Sequence, residues 1–336
     1  MTFISAPIVQ RVGGYGPQDA KICIVGEALG AEEARQGKPF VGPAGTVLEQ
    51  CLHAAGITRS ECYITNVVKV RPPNNDISPY YSTTKHSFTE LGRESVDYLL
   101  NEVTNLNPNI VVALGAVAMH ALTGYGAVTK LRGYVMEGKH GLKVIPTIHP
   151  AASLRGQYLY RYLISSDLRK VRLESEYPDI KRPERNLIYS YSNIDEAIEW
   201  VNTIGRSPRV SLDIEVLNYE IAIIGLASSP ELGIAIPLAD GQWGSDADEI
   251  PLWRALASVI ENPNVTKVGQ NLIFDKHFLA TKCGILMQGP VEDTMMSHSI
   301  MFPELLKGLG FLGSLYCGST EYWKDAIKWD NIKEES

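Results

Sequence analysis

The sequence predicts a two-domain α/β protein, and three observations carry that prediction. Short β-branched apolar runs alternate with helix-like stretches through the first half. A charged, proline-containing stretch then interrupts the pattern. The second half opens with three strand-like runs in succession before helices resume. A chain of 336 residues, 45% apolar and 21% charged, has ordinary globular composition and the length of two domains.

In the first half "KICIV" reads as a buried strand, "AGTVLEQCLHAAG" as a helix and "ECYITNVVKV" as a strand. "GRESVDYLLNEVTNL" is a helix, "NIVVALG" a strand, "AVAMHALTG" a helix and "LKVIPTIHP" a strand. Continuous apolar runs bounded by Gly and Pro indicate strands buried on both faces, hence a parallel sheet covered by helices. "ESEYPDIKRPERN" (Glu174 to Asn186) is charged, holds two prolines and lacks an apolar period, so it reads as the linker between domains 1–175 and 187–336. Beyond it, "SNIDEAIEWVNTI" is a helix that Ser192 can cap, with Glu196 in reach of its start. "RVSLDIEVL", "IAIIGLASS" and "LGIAIPLA" read as an antiparallel meander. "EIPLWRALASVIEN" and "NLIFDKHFLATKCG" read as helices.

No apolar run approaches the roughly 20 residues of a membrane span. The N-terminus lacks the basic and apolar regions of a signal peptide, so a cytoplasmic protein of a bacterial host or its phage is expected. Five scattered cysteines without a C-x-x-C pair fit a reducing compartment. The formal charge of −7 argues against bulk non-specific DNA binding but hides an asymmetry. Residues 1–180 carry 18 Lys and Arg against 16 Asp and Glu, a net +2; residues 181–336 carry 13 against 22, a net −9. The acidic half is either a solvated surface or the seat of metal-binding carboxylates.

Three polar residues of the first half fall at strand ends: Glu27 after "KICIV", Asn66 near the end of "ECYITN" and His149 after "VIPTI". In an open parallel sheet, ligands bind beyond the carboxyl ends of the strands. A carboxylate, an amide and an imidazole there can position water, read a base-like edge and stabilise a developing anion. Each can equally cap a helix or order a turn. The ordered stretches "GEALGAEEARQGKPFVGPAG", "TNVVKVRPPNN", "NPNIVVALGAVAMHALTG" and "TIHPAASLR" together resemble the uracil-DNA glycosylase superfamily, nearest its iron–sulfur bacterial branch. The resemblance covers roughly residues 15–172. It implies a three-layer α/β/α fold and N-glycosidic hydrolysis of a flipped uracil-type base in single-stranded or uracil-containing DNA. It implies that Glu27 positions water, Phe40 stacks on the base, Asn66 binds the uracil edge and His149 stabilises the uracil anion. Gly26, Gly30, Gly42 and Gly45 would admit base and phosphates. The chain departs from that branch at Val70 before "RPP", in lacking cysteines from Arg71 to Asn101 and before Cys23, and in Leu29 where proline is usual. No iron–sulfur cluster is therefore expected, and the loop from Pro72 to Arg93 needs other support. His86 in that loop lies where a covalently trapping relative keeps a nucleophile; a loop histidine is ordinarily just solvated.

In the second half, Asp213 and Glu215 in "VSLDIEVL" alternate along a strand and so share a face; on a buried strand such a pair demands a cation. Alternating acids on a solvent-facing strand are the plainer alternative. Asn271 and Asp275 are four apart, on one helical face. "LDIE", "VGQNLIFDKHFL" and "EDTMMSHSIMFPELLKGLGFLGSLY" resemble the 3′–5′ exonuclease domain of family-A DNA polymerases, in its bacteriophage flavour. The resemblance implies a ribonuclease H-like fold, Mg²⁺ or Mn²⁺ held by Asp213, Glu215 and Asp275, and Asp293 in support. Neither Tyr322 with Asp325 nor Asp330 has the spacing of the third exonuclease motif, so the domain is expected to lack its fourth carboxylate and to be incomplete at its C-terminus. The whole resembles the front end of a phage polymerase, with a separate polymerase chain as partner. The alternative is a non-catalytic DNA-binding or base-sensing module of a split polymerase.

Overall fold

The computed structural model describes residues 11–239 and 241–318. They form two compact units, one of residues up to 182 together with those from 310 onward, the other Pro183–Leu309. The break at Arg182 falls inside the proline-containing linker. The run from Gly310, expected in the second domain, groups with the first unit. Tyr322, Asp325 and Asp330 lie outside the described residues.

The first unit contains, in order, β1 (Ile22–Ala28), α1 (Ala31–Gln36), α2 (Pro43–Ala55), β2 (Cys62–Val68), β3 (Tyr81–Ser82), β4 (Ser87–Phe88), α3 (Glu90–Leu106), β5 (Ile110–Leu114), α4 (Ala116–Thr123), α5 (Val128–Leu131), β6 (Met136–Glu137), β7 (Lys143–Thr147) and α6 (Leu159–Glu174). The sheet order is β2-β1-β5-β7-β6, parallel throughout except for the short β6. Every residue of β2, β5 and β7 is buried, as apolar strands sandwiched between helices must be. Helices α3 and α4 share one core with Cys23, Val25, Val111 and Ala113; α2 packs against α6. Capping fixes the helix ends. Pro43 opens α2 and left-handed Gly56 (φ 73°) closes it; the Thr89 side chain accepts from Gly92 N at the start of α3.

The loop from Pro72 to Arg93 is braced by aromatic rings. Tyr81 and Phe88, facing each other across the β3–β4 hairpin, sit 4.9 Å apart edge-on, and His120 of α4 lies 5.6 and 5.3 Å from them. His86 occupies this hairpin in left-handed backbone (φ 47°) and is exposed.

The second unit contains β8 (Asn186–Ile188), α7 (Ile194–Gly205), β9 (Arg209–Leu217), β10 (Glu220–Ala227), β11 (Leu232–Pro237), α8 (Asp246–Ile260), β12 (Thr266–Gly269), α9 (Leu272–Phe278), β13 (Val291–Asp293) and α10 (Thr294–Met301); α11 (Leu309–Tyr316) follows. The order is β13-β12-β9-β10-β11-β8, with β9, β10 and β11 forming the expected antiparallel meander and β12 and β13 parallel beside it. Helices α7 and α8 cover one face. Strand β9 therefore alternates: Val210, Leu212 and Ile214 are buried, while Ser211, Asp213 and Glu215 are exposed. The buried setting expected for those two carboxylates is corrected to a solvent-facing one. Helix α7 is capped by Asn193, which accepts from Glu196 N at 2.9 Å, and not by Ser192; Glu196 does reach back, to Ser192 N at 2.6 Å. No helix among the described residues is long and apolar enough to cross a membrane.

One buried ion pair ties the first unit together. Asp167 of α6, fully buried, accepts from Arg132 Nε at 2.8 Å and from Arg132 Nη2, and also from the Thr147 hydroxyl at the end of β7. Arg132 Nη1 donates to Ser314 Oγ at 3.0 Å. Asp167→Ala strands a buried guanidinium and should cost about 3–5 kcal/mol in urea unfolding. Arg132→Met added to Asp167→Leu should recover most of that loss, because no uncompensated charge then remains.

Candidate active site

The sheet brings the strand-end residues of the first half together. Gly26 of β1 and Asn66 of β2 are register partners. A Cβ on Gly26 would lie 2.4 Å from Asn66 Oδ1 and 2.5 Å from the Phe40 ring, so glycine alone lets both side chains settle there. Phe40 is buried in left-handed backbone (φ 53°), and the Gly45 position meets its carbonyl at 1.9 Å, again excluding a side chain. Glu33 of α1 holds the next two residues: its Oε1 accepts from Val41 N at 3.1 Å and Gly42 N at 2.8 Å. A Cβ on Gly30 would meet that carboxylate at 2.5 Å. Above them lies a cavity of about 550 Å³ lined by Glu27, Phe40, Asn66 and His149, with Leu154 and Arg155 at its edge.

The electrostatics are set by burial. His149 begins a 3₁₀ turn (Pro150–Arg155), and its Nδ1 accepts from Ala151 N at 3.2 Å, so the ring proton sits on Nε2. Burial first, then Arg155, lowers its pKa to about 4. His149 is thus both the helix cap and a neutral imidazole with one N–H to offer. Its ring centre lies 5.8 Å from that of Phe40. Burial raises the pKa of Glu27, an effect Arg155 opposes. Asn66 is 3% exposed, and its Oδ1 is buried without a hydrogen-bond partner. A buried amide oxygen left unpaired beside an open cavity calls for a ligand donor. Leu29 is buried, and His86 does not line the cavity.

The carboxylates of the second unit are arranged differently. Asp275 of α9 is buried, and its Oδ1 accepts from Ile214 N at 3.0 Å, between exposed Asp213 and Glu215. Paired β12 reaches only to Ser211, so Ile214 N–H has lost its strand partner and Asp275 supplies one. Burial raises the pKa of Asp275 most, with Asp293 and Glu215 adding to the rise. Asp293 is fully committed to backbone: Oδ1 and Oδ2 take Asn271 N and Leu272 N, and Oδ1 takes Met295 N and Met296 N. Asn271 precedes α9 in left-handed backbone (φ 60°) and does not share a helical face with Asp275. Among the described residues no set of three or more His, Cys, Asp or Glu is arranged to hold a metal ion.

Residues 13–169 match the Uracil DNA glycosylase superfamily and residues 189–333 match a 3′–5′ exonuclease family. The type-4 uracil-DNA glycosylase of Thermotoga maritima is 39% identical over 165 residues, 48% of this chain and 78% of the relative. This chain belongs to the uracil-DNA glycosylase superfamily. Its glycosylase domain is followed by a 3′–5′ exonuclease domain. The type-4 enzyme of Archaeoglobus fulgidus is 37% identical over 170 residues, 48% of this chain and 79% of that one. A DNA polymerase of Bacillus phage SP01 is 27% identical over 319 residues, 85% of this chain but 33% of the polymerase. Among solved structures, the Aedes aegypti Nibbler EXO domain has 14% identity and a TM-score of 0.34, covering 46% of this chain and 83% of that one. Escherichia coli RNase D has 16% identity and a TM-score of 0.30, covering 45% and 40%.

Glu33 and Arg155 escaped the sequence reading. Glu33 lies in an acidic run on a short helix, and nothing local distinguishes it from Glu32, which pairs with exposed Arg35. The clamp on Phe40 predicts a contrast between two glycines of this glycosylase domain. Gly26→Ala should cost about 1–3 kcal/mol in urea unfolding through overpacking. Gly13→Ala, with nothing within 4 Å of its new Cβ, should stay within about 0.5 kcal/mol of the parent.

Proposed function

We propose that the first unit is a uracil-DNA glycosylase acting on uracil or a related pyrimidine flipped from DNA. The observation that carries this reading is the unpaired, buried Asn66 amide in one cavity with Phe40, neutral His149 and Glu27. The flipped base stacks on Phe40, and its N–H edge gives Asn66 Oδ1 the donor it lacks. As the glycosidic bond lengthens, negative charge collects on the base. His149 Nε2–H stabilises that charge as a neutral donor, with no proton to lose first. Ionised Glu27 orients water toward the sugar carbon left electron-poor. Gly30 and Gly42 keep the rim open to backbone and phosphate. A 5′-labelled uracil oligonucleotide tests this directly. Glu27→Gln should slow uracil release roughly 100- to 10,000-fold and His149→Ala roughly 100- to 1,000-fold. Release untouched by Glu27→Gln would sink its assigned role.

The pH profile follows from the two titrations. Glu27 acts ionised and its pKa is raised, so activity falls as pH drops through a value above the ordinary glutamate 4.5. His149 stays neutral until about 4, so it does not set that limb. In single-turnover assays Glu27→Gln should erase that acid limb and leave a flat, low rate down to about 4. An unchanged limb in that variant would assign it to another group.

For the second unit, the proposed cation is Mg²⁺ or Mn²⁺, and Asp213, Glu215 and Asp275 are the residues that would hold it. Asp275 Oδ1 accepts from Ile214 N, which lies between Asp213 and Glu215 on β9. Tyr322, Asp325 and Asp330 lie outside the described residues, and no cleavage step is assigned to this unit. The similarity to a phage polymerase over 85% of the chain, and 33% of that polymerase, supports service with a DNA polymerase in the cytoplasm of a bacterial host. With either cation, a 5′-labelled strand should shorten only slowly from its 3′ end. Rapid shortening that is abolished by chelator and by Asp213→Asn would show that these three carboxylates suffice for cleavage.

A further inference from the structure

A second cavity, of about 720 Å³, lies along the outer edge of β2 in the first unit. Cys62 and Ile64 of β2 line it. Tyr15 bridges Ile64 through two backbone hydrogen bonds of 2.9 Å, which fixes the ring's root while leaving the residue 53% exposed. Gly16 lets the loop lie this close to β2: its backbone is at φ 140°, and a Cβ there would meet Cys62 O at 2.2 Å. Lys38 Nζ stands 4.6 Å over the Tyr15 ring. Arg59 also lines the cavity. Its Nη2 donates to Pro39 O at 2.9 Å, while its Nη1 is buried and has no hydrogen-bond partner. A buried guanidinium nitrogen without an acceptor is costly, and an anion is its natural partner.

We propose that this cavity binds a nucleotide of single-stranded DNA, its base against Tyr15 and its phosphodiester on Arg59 and Lys38. An aromatic ring beside two cations is the combination that tracks single strands without reading sequence. Glu49 also lines the cavity, which favours the single charge of a phosphodiester over the dianion of a terminal phosphate. The proposal rests on the glycosylase reading in one respect: Pro39, whose carbonyl Arg59 holds, is bonded to Phe40. A strand whose flipped base enters the first cavity then passes the second with a neighbouring nucleotide. Occupancy there bears on the loop that carries Phe40.

The test is fluorescence anisotropy of the full chain with a uracil-free oligothymidine ladder, in chelator. Affinity should rise as the strand lengthens. Tyr15→Ala should remove that gain, weakening the longer strands about five- to tenfold, and Tyr15→Trp should restore it. Lys38→Gln and Arg59→Gln should each lower the salt slope by about one. Tyr125→Ala, at an exposed tyrosine that does not line this cavity, should leave the Tyr15-dependent gain intact. Equal binding of every length by the parent and by a normally melting Tyr15→Ala would overturn the proposal and leave the cavity to solvent. No probe contains uracil, so failure of uracil release sinks only the glycosylase reading.

Discussion

The first site depends on a missing side chain. Parallel β1 and β2 set Gly26 beside Asn66, and the volume a Cβ would fill is shared by the Asn66 amide and the edge of the Phe40 ring. That shared space forces Phe40 in from the following loop, and the loop meets the demand with left-handed backbone. The strain at φ 53° persists because its surroundings over-determine it. Gly45 receives the Phe40 carbonyl, Glu33 grips the two amides after it, and Arg59 grips the carbonyl before it. A ring clamped at both ends of its own residue is a preorganised stacking surface, whose ordering entropy is met on folding and not on binding.

Burial then sorts the two ionisable groups that face this ring. Desolvation opposes charge on both, raising Glu27 and lowering His149. Arg155 acts on them in opposite senses relative to burial. It favours the Glu27 carboxylate, working against desolvation, and disfavours the imidazolium, working with it. One exposed cation at the rim thereby widens the pH range in which an ionised carboxylate and a neutral imidazole coexist. That pair of protonation states is what water positioning and anion stabilisation require together.

Much of this was legible in the sequence where period and punctuation decide. Continuous apolar runs gave the buried strands and hence the strand-end positions of Glu27, Asn66 and His149. The alternation in "SLDIE" put Asp213 and Glu215 on one face. What the period does not reveal is which face a second layer covers; the helices lie over Leu212 and Ile214, so the carboxylates meet solvent. Helix α6 was missed because its apolar positions are broken by Arg161, Asp167 and Lys170; Asp167 is buried only because Arg132, 35 residues earlier, arrives to pair with it. Ser192 and Asn193 are both competent caps, and backbone placement chose Asn193. Glu33 and Arg59 act through backbone groups remote in sequence, which leaves no local trace.

The two units use acidic residues under opposite regimes. In the glycosylase domain Glu27 is desolvated, so its ionisation is costly and its placement selective. On β9, Asp213 and Glu215 face solvent, where two like charges repel only weakly. Asp275 is the exception: it is buried because it must replace the strand partner that Ile214 lost where β12 stops. Asp293 is likewise spent on four backbone amides that join the starts of α9 and α10. The acids nearest the β9 face thus already serve the fold. A cation there would share Asp275 with the backbone amide of Ile214, whereas in the glycosylase domain the buried Asn66 Oδ1 has no backbone partner to share.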